Sequence, residues 1–230
     1  MEVIEMDKNI MIELNNAITR DHGGKMAGYW SLSTSCLLNE YCVKRHAAGD
    51  TVCSRCYAWR QLQRQKNTRE KMARNTELLT KTEIPPEQVP YLNVTRFRFE
   101  SFGELANTLQ VKNYFTIAEK NPHCTFALWT KNAWIIKNAM EQYKIEKPAN
   151  MIIIASLPTV DKFDSYETAA IYESLRNNGY SFIDKLFCVY SKKYAAEHGI
   201  SINCGARDCM SCGRCYTLGD TTKVINEILK

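Results

Sequence analysis

The stretch Met-Ile-Ile-Ile-Ala-Ser at residues 151–156 decides the fold of this chain. It is almost continuously apolar and rich in β-branched side chains, a pattern typical of a parallel strand that is covered on both faces. Strand-like runs recur on either side of it, with helix-like stretches between them. The predicted strands are residues 93–100, 124–130, 151–156 and 186–190, and the predicted helices are residues 104–120, 133–143 and 166–177.

This alternation predicts an α/β domain with a parallel sheet and crossover helices. A partial (βα) barrel-like fold and an open, doubly wound sheet fit the spacing equally well, and in both, ligands gather at the carboxyl ends of the strands. A short helix at residues 194–198 and a closing helix at residues 221–229 complete the prediction. We expect a single domain over residues 1–230, because the chain is long enough for one core.

The composition is that of an ordinary globular protein, with 45% hydrophobic residues, 24% charged residues and a net charge of +5. The first fifteen residues include acids and lack a long apolar run, so we expect no signal peptide. No apolar run is long enough to cross a bilayer. These features predict no membrane partner and a cytoplasmic location, where thiols stay reduced.

Ten cysteines are many for 230 residues, and eight of them form two groups near the ends of the chain. The first group has the spacing C-x5-C-x10-C-x2-C, and the second has C-x4-C-x2-C-x2-C. Gaps of two residues let neighbouring thiolates converge on one metal or cluster. The candidate ligands are Cys36, Cys42, Cys53, Cys56, Cys204, Cys209, Cys212 and Cys215. Cys124 and Cys188 lie in predicted strands and are assigned to the core.

The spacing favours an iron–sulfur cluster of the [4Fe-4S] type, because C-x2-C-x2-C supplies three corners of such a cluster in bacterial ferredoxins. Zinc is one alternative, since tetrahedral four-cysteine sites also use C-x2-C pairs. Structural or redox thiols without a bound metal are the other. One cluster needs four ligands, so eight cysteines allow two sites, or one site with spare thiols. We expect one mixed site that draws on both ends of the chain. The C-x3-C-x2-C spacing usual in radical enzymes does not occur.

Residues 96–104 are a candidate for catalytic chemistry at the end of a predicted strand. Arg98 and Glu100 fall on one face of that strand, and Glu104 follows it. One interpretation is a polar pocket beside the cluster, with Glu100 or Glu104 as general base and Arg98 as an anion clamp. The other interpretation is an ion pair without a catalytic role.

A basic segment at residues 59–79 has helix-forming composition. It predicts either a solvated helix face or a surface that contacts nucleic-acid phosphates. Its basic residues are Arg60, Arg64, Lys66, Arg69, Lys71 and Arg74.

Four segments make the chain resemble a known family. They are GYWSLSTSC at residues 28–36, CSRCYA at residues 53–58, RFRFESFGE at residues 96–104 and CMSCGRCY at residues 209–216. In this order they resemble the phage gene product 88 family of small iron–sulfur proteins with a barrel-like α/β core. The resemblance implies a [4Fe-4S] cluster and a phage or prophage origin, hence the host-cell cytoplasm, without a settled substrate.

Three functions are open at this point. The first is a cluster-binding protein with a redox or structural role and an unknown redox partner. The second is a cluster-associated hydrolase or lyase that acts on a small molecule beside the cluster. The third is a basic nucleic-acid-binding module with structural zinc.

Overall fold

A seven-stranded sheet organises the chain in the computed structural model, which describes residues 2–49 and 51–229. The strands follow one another across the sheet in chain order. They are β1 (Thr19–Arg20), β2 (Trp30–Leu32), β3 (Arg96–Phe99), β4 (Thr125–Thr130), β5 (Met151–Val160), β6 (Lys185–Tyr190) and β7 (Val224–Ile228).

The strand order decides between the predicted architectures. Strands β2 to β7 are parallel neighbours, and only β1 is antiparallel, paired with β2. The order never reverses, so the sheet is not doubly wound. β1 and β7 form its two edges, so the sheet is open and does not close into a barrel. The prediction of an open parallel sheet with crossover helices is confirmed.

The helices lie mainly in the connections between strands. They are α1 (Glu2–Ala17), α2 (Glu40–Ala47), α3 (Tyr57–Arg64), α4 (Lys66–Lys81), α5 (Thr108–Lys120), α6 (Trp134–Tyr143), α7 (Ser165–Asn177), α8 (Lys192–Glu197) and α9 (Cys209–Cys212). Among the described residues, no helix is both long enough and apolar enough to span a membrane.

Two helix predictions need correction. The helix expected at residues 221–229 is wrong, because Val224–Ile228 pairs with β6 as an edge strand and buries Ile225 against the sheet. The helix expected from residue 104 begins only at Thr108. Asn107 determines that start, since its side chain accepts a hydrogen bond from the amide of Gln110 at 2.9 Å.

The main core lies between the helices and one face of the sheet. Right-handed crossovers between strands in sequential order place their helices on the same side. That side is lined by apolar residues in register across the strands, with Phe97 beside Phe126 and Phe126 beside Met151. Cys124 and Cys188 are buried in this core, as predicted, and burial raises the pKa of their thiols to about 12 and about 11.

The other face of the sheet, called here the open face, presents different chemistry. Ser31, Arg98 and Ala127 lie side by side in the register of β2, β3 and β4. Tyr29, Tyr216 and Ala127 are buried together in a small separate apolar cluster. Cys209 and Cys215, from one of the cysteine-rich segments, pack against this cluster.

Candidate functional site

The first cysteine group consists of Cys36, Cys42, Cys53 and Cys56, and it follows the carboxyl end of β2. Cys36 comes four residues after β2, Cys42 is on α2, Cys53 is in a 3-10 helix at Val52–Arg55, and Cys56 caps α3. Cys36, Cys42 and Cys56 pack in one apolar cluster, and Cys53 interacts electrostatically with Cys42 and Cys56. The structure therefore brings all four together.

Local capping interactions position this group. Oδ1 of Asn39 accepts hydrogen bonds from the amides of Tyr41 and Cys42, at 3.0 and 3.2 Å, and so starts α2. Nδ2 of Asn39 donates to the carbonyl oxygen of Glu104 at 2.9 Å. The hydroxyl of Thr51 caps the next turn by accepting from the amide of Ser54. These contacts tie the cysteine segment to the strand-end loop of β3.

The thiols of the first group are not equivalent. The thiol of Cys36 stabilises the thiolate of Cys56, which together with the backbone amides of Trp59 and Ala58 lowers the pKa of Cys56 to about 6. Cys56 lies at the amino-terminal end of α3, where backbone N–H groups favour a thiolate. The same interaction, with burial, raises the pKa of Cys36. Cys56 is therefore the thiol of this group best prepared to bind a metal.

Cations lie beside the first group. Burial raises the pKa of the Cys53 thiol, and the positive charges of Lys131 and Arg45 oppose that shift. Lys131 directly follows β4, at the carboxyl ends of the strands, where ligands are expected to bind in such a sheet. Positive charge at this position offsets the charge of several thiolates held together.

Glu100, one of the predicted catalytic residues, is fully engaged inside the protein. Its carboxylate accepts hydrogen bonds from the hydroxyl of Tyr114 at 2.5 Å, from Nε2 of Gln110 at 2.6 Å and from the amide and hydroxyl of Thr34. Burial raises its pKa to about 7, against the lowering effect of these donors. The backbone of Glu100 has a left-handed φ of 56°, which fits a residue that must turn the chain at the end of β3.

Glu104 is engaged in the same way. It accepts from the hydroxyl of Thr130 at 2.5 Å, from the amide of Lys131 at 2.7 Å and from the amide of Leu105 at 2.9 Å. It thus joins the loop after β3 to the end of β4. Both glutamates are buried, and their oxygens are occupied by protein donors. This geometry favours a positioning role over that of a general base.

The second cysteine group consists of Cys204, Cys209, Cys212 and Cys215. Cys204 is held by its amide, which donates to the carbonyl oxygen of Asn226 on β7. Cys209 and Cys212 are the two ends of α9, and Cys215 is in a 3-10 helix at Arg214–Tyr216. Electrostatic interactions connect Cys215 with each of the other three.

Contacts with the open face anchor the second group. The hydroxyl of Tyr29 donates to the carbonyl oxygen of Cys209 at 3.2 Å. Nη1 of Arg96 donates to the carbonyl oxygen of Met210 at 3.0 Å. Gly213 has a φ of 63° and lies so close to Arg96 that a Cβ at this position would be 3.0 Å from Nη2. The left-handed φ favours glycine here, whereas the tip of the flexible Arg96 side chain could move away from a Cβ.

Arg98 lies between the two groups. Its guanidinium stacks on the indole of Trp129, 4.2 Å from the ring centroid. Arg98 interacts electrostatically with Tyr216, Cys209 and Cys215 of the second cysteine segment, and also with Tyr57. Tyr57 in turn interacts electrostatically with Cys36 and Cys56 of the first group. Arg98 therefore lies beside the second group and is connected with the first through Tyr57.

The prediction of one mixed site stays a prediction. In the described residues, Cys36, Cys42 and Cys56 pack in one apolar cluster, and Cys209 and Cys215 pack in another. Across the described part of the chain, no three His, Cys, Asp or Glu side chains converge closely enough to hold a single metal ion.

The basic segment forms two helices, α3 and α4. Nζ of Lys71 donates to the carbonyl oxygen of Ile18 at 2.8 Å, and Nη1 of Arg69 donates to that of Leu62 at 3.4 Å, so these two cations stabilise the chain itself. Those that remain exposed are Arg60, Arg64, Lys66 and Arg74. A nucleic-acid surface at this segment stays a prediction.

Tyr57 was not among the predicted site residues, although it directly follows the C-x2-C pair, which was an available signal. Asp21 begins the segment Asp-His-Gly-Gly-Lys at residues 21–25, whose two glycines indicate a loop, and that loop was its signal in the sequence. The pairing of β1 with β2 brings Asp21 to the open face.

The fold and site together define a class, an open parallel α/β sheet that carries a four-cysteine group at its carboxyl edge and another on its open face. The family model of gene product 88 matches residues 14–218. The chain therefore belongs to the gene product 88 family. Neither a curated protein nor a solved structure matches it.

Proposed function

We propose that this protein binds two iron–sulfur clusters of the [4Fe-4S] type, one at each cysteine group, and that it functions in electron transfer. The observation behind this proposal is the grouping of the cysteines, with Cys36, Cys42 and Cys56 packed in one apolar cluster and Cys209 and Cys215 in another. Four thiolates are the ligand set of a [4Fe-4S] cluster, which supplies one-electron chemistry when bound. Membership of the gene product 88 family agrees with the resemblance, which also implied a cluster.

The residues present fit such clusters. Thiolates bind metals, and the lowered pKa of Cys56 supplies a thiolate near neutral pH. Lys131 and Arg45 lie at the first group, and Arg98 and Lys25 lie at the second, where they offset negative charge. Charge and hydrogen bonding around the sulfurs are the means by which a protein sets a cluster's reduction potential.

Zinc is the competing metal, because tetrahedral four-cysteine sites use the same C-x2-C pairs. The spacing C-x2-C-x2-C in the second group favours the cluster, since in bacterial ferredoxins it supplies three corners of one.

The hydrolase or lyase alternative receives less support. Lewis-acid chemistry at iron requires an open coordination position. Four cysteines in each group leave none, and the oxygens of Glu100 and Glu104 are occupied by protein donors. We therefore place the protein among redox carriers, with a redox protein as its partner and the cytoplasm of the host cell as its location.

Anaerobic purification followed by iron, sulfide and zinc analysis tests the proposal. We expect about eight irons and eight sulfides per chain, with a broad brown absorption band that bleaches reversibly on reduction. Four irons per chain would show that the protein binds one cluster and not two. Stoichiometric zinc without sulfide would refute it, and salt-dependent DNA or RNA binding by that zinc form would establish the third function.

A further inference from the structure

A half-buried arginine on the open face has an unused donor. Nε of Arg98 is buried and has no hydrogen-bond partner. Nη1 of Arg98 has only the thioether sulfur of Met26, at 3.4 Å, which is a weak acceptor. Stacking on Trp129 leaves the N–H groups free to bind an acceptor, because they lie in the guanidinium plane. The hydrogen-bonding capacity of Arg98 is thus only partly used.

A carboxylate with an unused acceptor lies near it. Oδ2 of Asp21 is also buried without a hydrogen-bond partner. The backbone around Asp21 is rigid, since its amide donates to Tyr29 at 2.8 Å and its carbonyl oxygen accepts from Gly28 at 2.8 Å. Asp21 and Arg98 influence each other electrostatically, yet these two unused atoms do not pair with each other.

Tyr57 borders the same place. Its phenol interacts electrostatically with both Arg98 and Asp21, and also with Cys56 of the first group. The hydroxyl of Ser31 adjoins Asp21 from the strand beside Arg98. The Tyr57 hydroxyl itself donates to the carbonyl oxygen of Ser101, so the unused donor and acceptor here are those of Arg98 and Asp21.

We propose that Arg98 and Asp21 form a binding site for a small zwitterion, whose carboxylate binds Arg98 and whose ammonium group binds Asp21. Buried donors and acceptors are rarely left unpaired in native proteins, because leaving them so is costly. The planar N–H edge of arginine matches a carboxylate. A ligand that bears both a carboxylate and an ammonium group, as amino acids do, can bind the unused donor of Arg98 and the unused acceptor of Asp21 at the same time.

This inference does not depend on the proposed clusters. Its evidence is the pair of unused atoms at Arg98 and Asp21, whereas the clusters rest on the cysteines. Binding is measured by calorimetry, and iron content is measured separately on the same sample. Failure of one proposal is therefore distinguishable from failure of the other.

The test is a titration of the anaerobically purified full chain with glycine, β-alanine and 4-aminobutyrate, compared with acetate and methylammonium. We expect one of the zwitterions to bind at least roughly tenfold more tightly than either singly charged probe. If no probe saturates, water satisfies these atoms and the proposal is refuted. If acetate binds as tightly as every zwitterion, Asp21 has no part in recognition and the proposal is likewise refuted.

Three variants assign the charges. Arg98→Gln should abolish zwitterion binding, and Asp21→Asn should reduce it to the level of acetate. Arg20→Gln, at an exposed arginine next to Asp21, should bind like the unchanged protein. Circular dichroism establishes which variants fold, and if Arg98→Gln does not, the probe ratio in Asp21→Asn decides the outcome.

Discussion

Nζ of Lys185 lies 2.5 Å from Oδ1 of Asp220, and the lysine is only 2% exposed. Lys185 opens β6, while Asp220 belongs to the segment that returns from the second cysteine group into β7. Nζ also donates to the carbonyl oxygen of Thr222 at 2.9 Å. One buried cation therefore fastens the end of the cysteine segment to the sheet.

Replacing this lysine should destabilise the protein. In Lys185→Met, Asp220 and the carbonyl oxygen of Thr222 lose their donor, which should lower the free energy of unfolding by about 2–4 kcal/mol. Urea unfolding measures the loss. The control is Lys112→Met, whose partner Glu83 is 59% exposed, and this change should cost less than about 1 kcal/mol. Equal losses in both variants would contradict a structural role for the Lys185 pair.

Cysteine substitutions should separate the two cysteine groups. Cys215→Ala should remove the iron and sulfide of the second group and leave those of the first, so that the iron content falls by about half. Cys56→Ala should remove the iron and sulfide of the first group and leave those of the second. Cys124→Ala and Cys188→Ala, in the core, should retain all the iron. Complete loss of iron in Cys215→Ala would show that the groups do not bind independently, and full retention would remove Cys215 from the ligand set.

The pKa of Glu100 predicts a dependence of stability on pH. It is raised from 4.5 to about 7 in the folded protein, so the folded state holds the proton more tightly than the unfolded state. Protonation of Glu100 therefore adds to the free energy of unfolding. This contribution, roughly 3 kcal/mol at most, is complete below about pH 4.5 and is lost as the pH rises through 7. Glu100→Gln should abolish this slope in urea unfolding measured at several pH values. The exposed Glu119→Gln should keep the slope, and its persistence in Glu100→Gln would assign it to other groups.

Gly103 should tolerate no side chain. A methyl group there would lie 2.7 Å from the carbonyl oxygen of Thr34 and closer still to its hydroxyl. Gly103→Ala should therefore destabilise the protein by about 1–3 kcal/mol, as overpacking does, and should reduce iron at the first group. Thermal unfolding and iron analysis measure both effects. Gly205→Ala, which meets nothing within 4 Å, should change neither, and a stable Gly103→Ala would contradict the predicted clash.

Local patterns were sufficient for much of the fold. The apolar run in β5 and the alternation of strands and helices predicted the parallel sheet, because periodicity and β-branching act within a short window. The same local information failed at residues 221–229, where the sequence favoured a helix. Pairing with β6 along its full length outweighed that preference, since strand formation depends on partners distant in the chain.

By itself, the sequence determined which thiols belong to each group, because spacing such as C-x2-C-x2-C limits how far apart neighbouring sulfurs lie. Only the tertiary structure decided that Cys36 packs in one apolar cluster and Cys209 in another, and that Glu100 and Glu104 are enclosed by donors. It alone brought Asp21 near Arg98. Those relations join residues far apart in the chain, and their distances depend on strand order and crossover handedness, which no local pattern encodes.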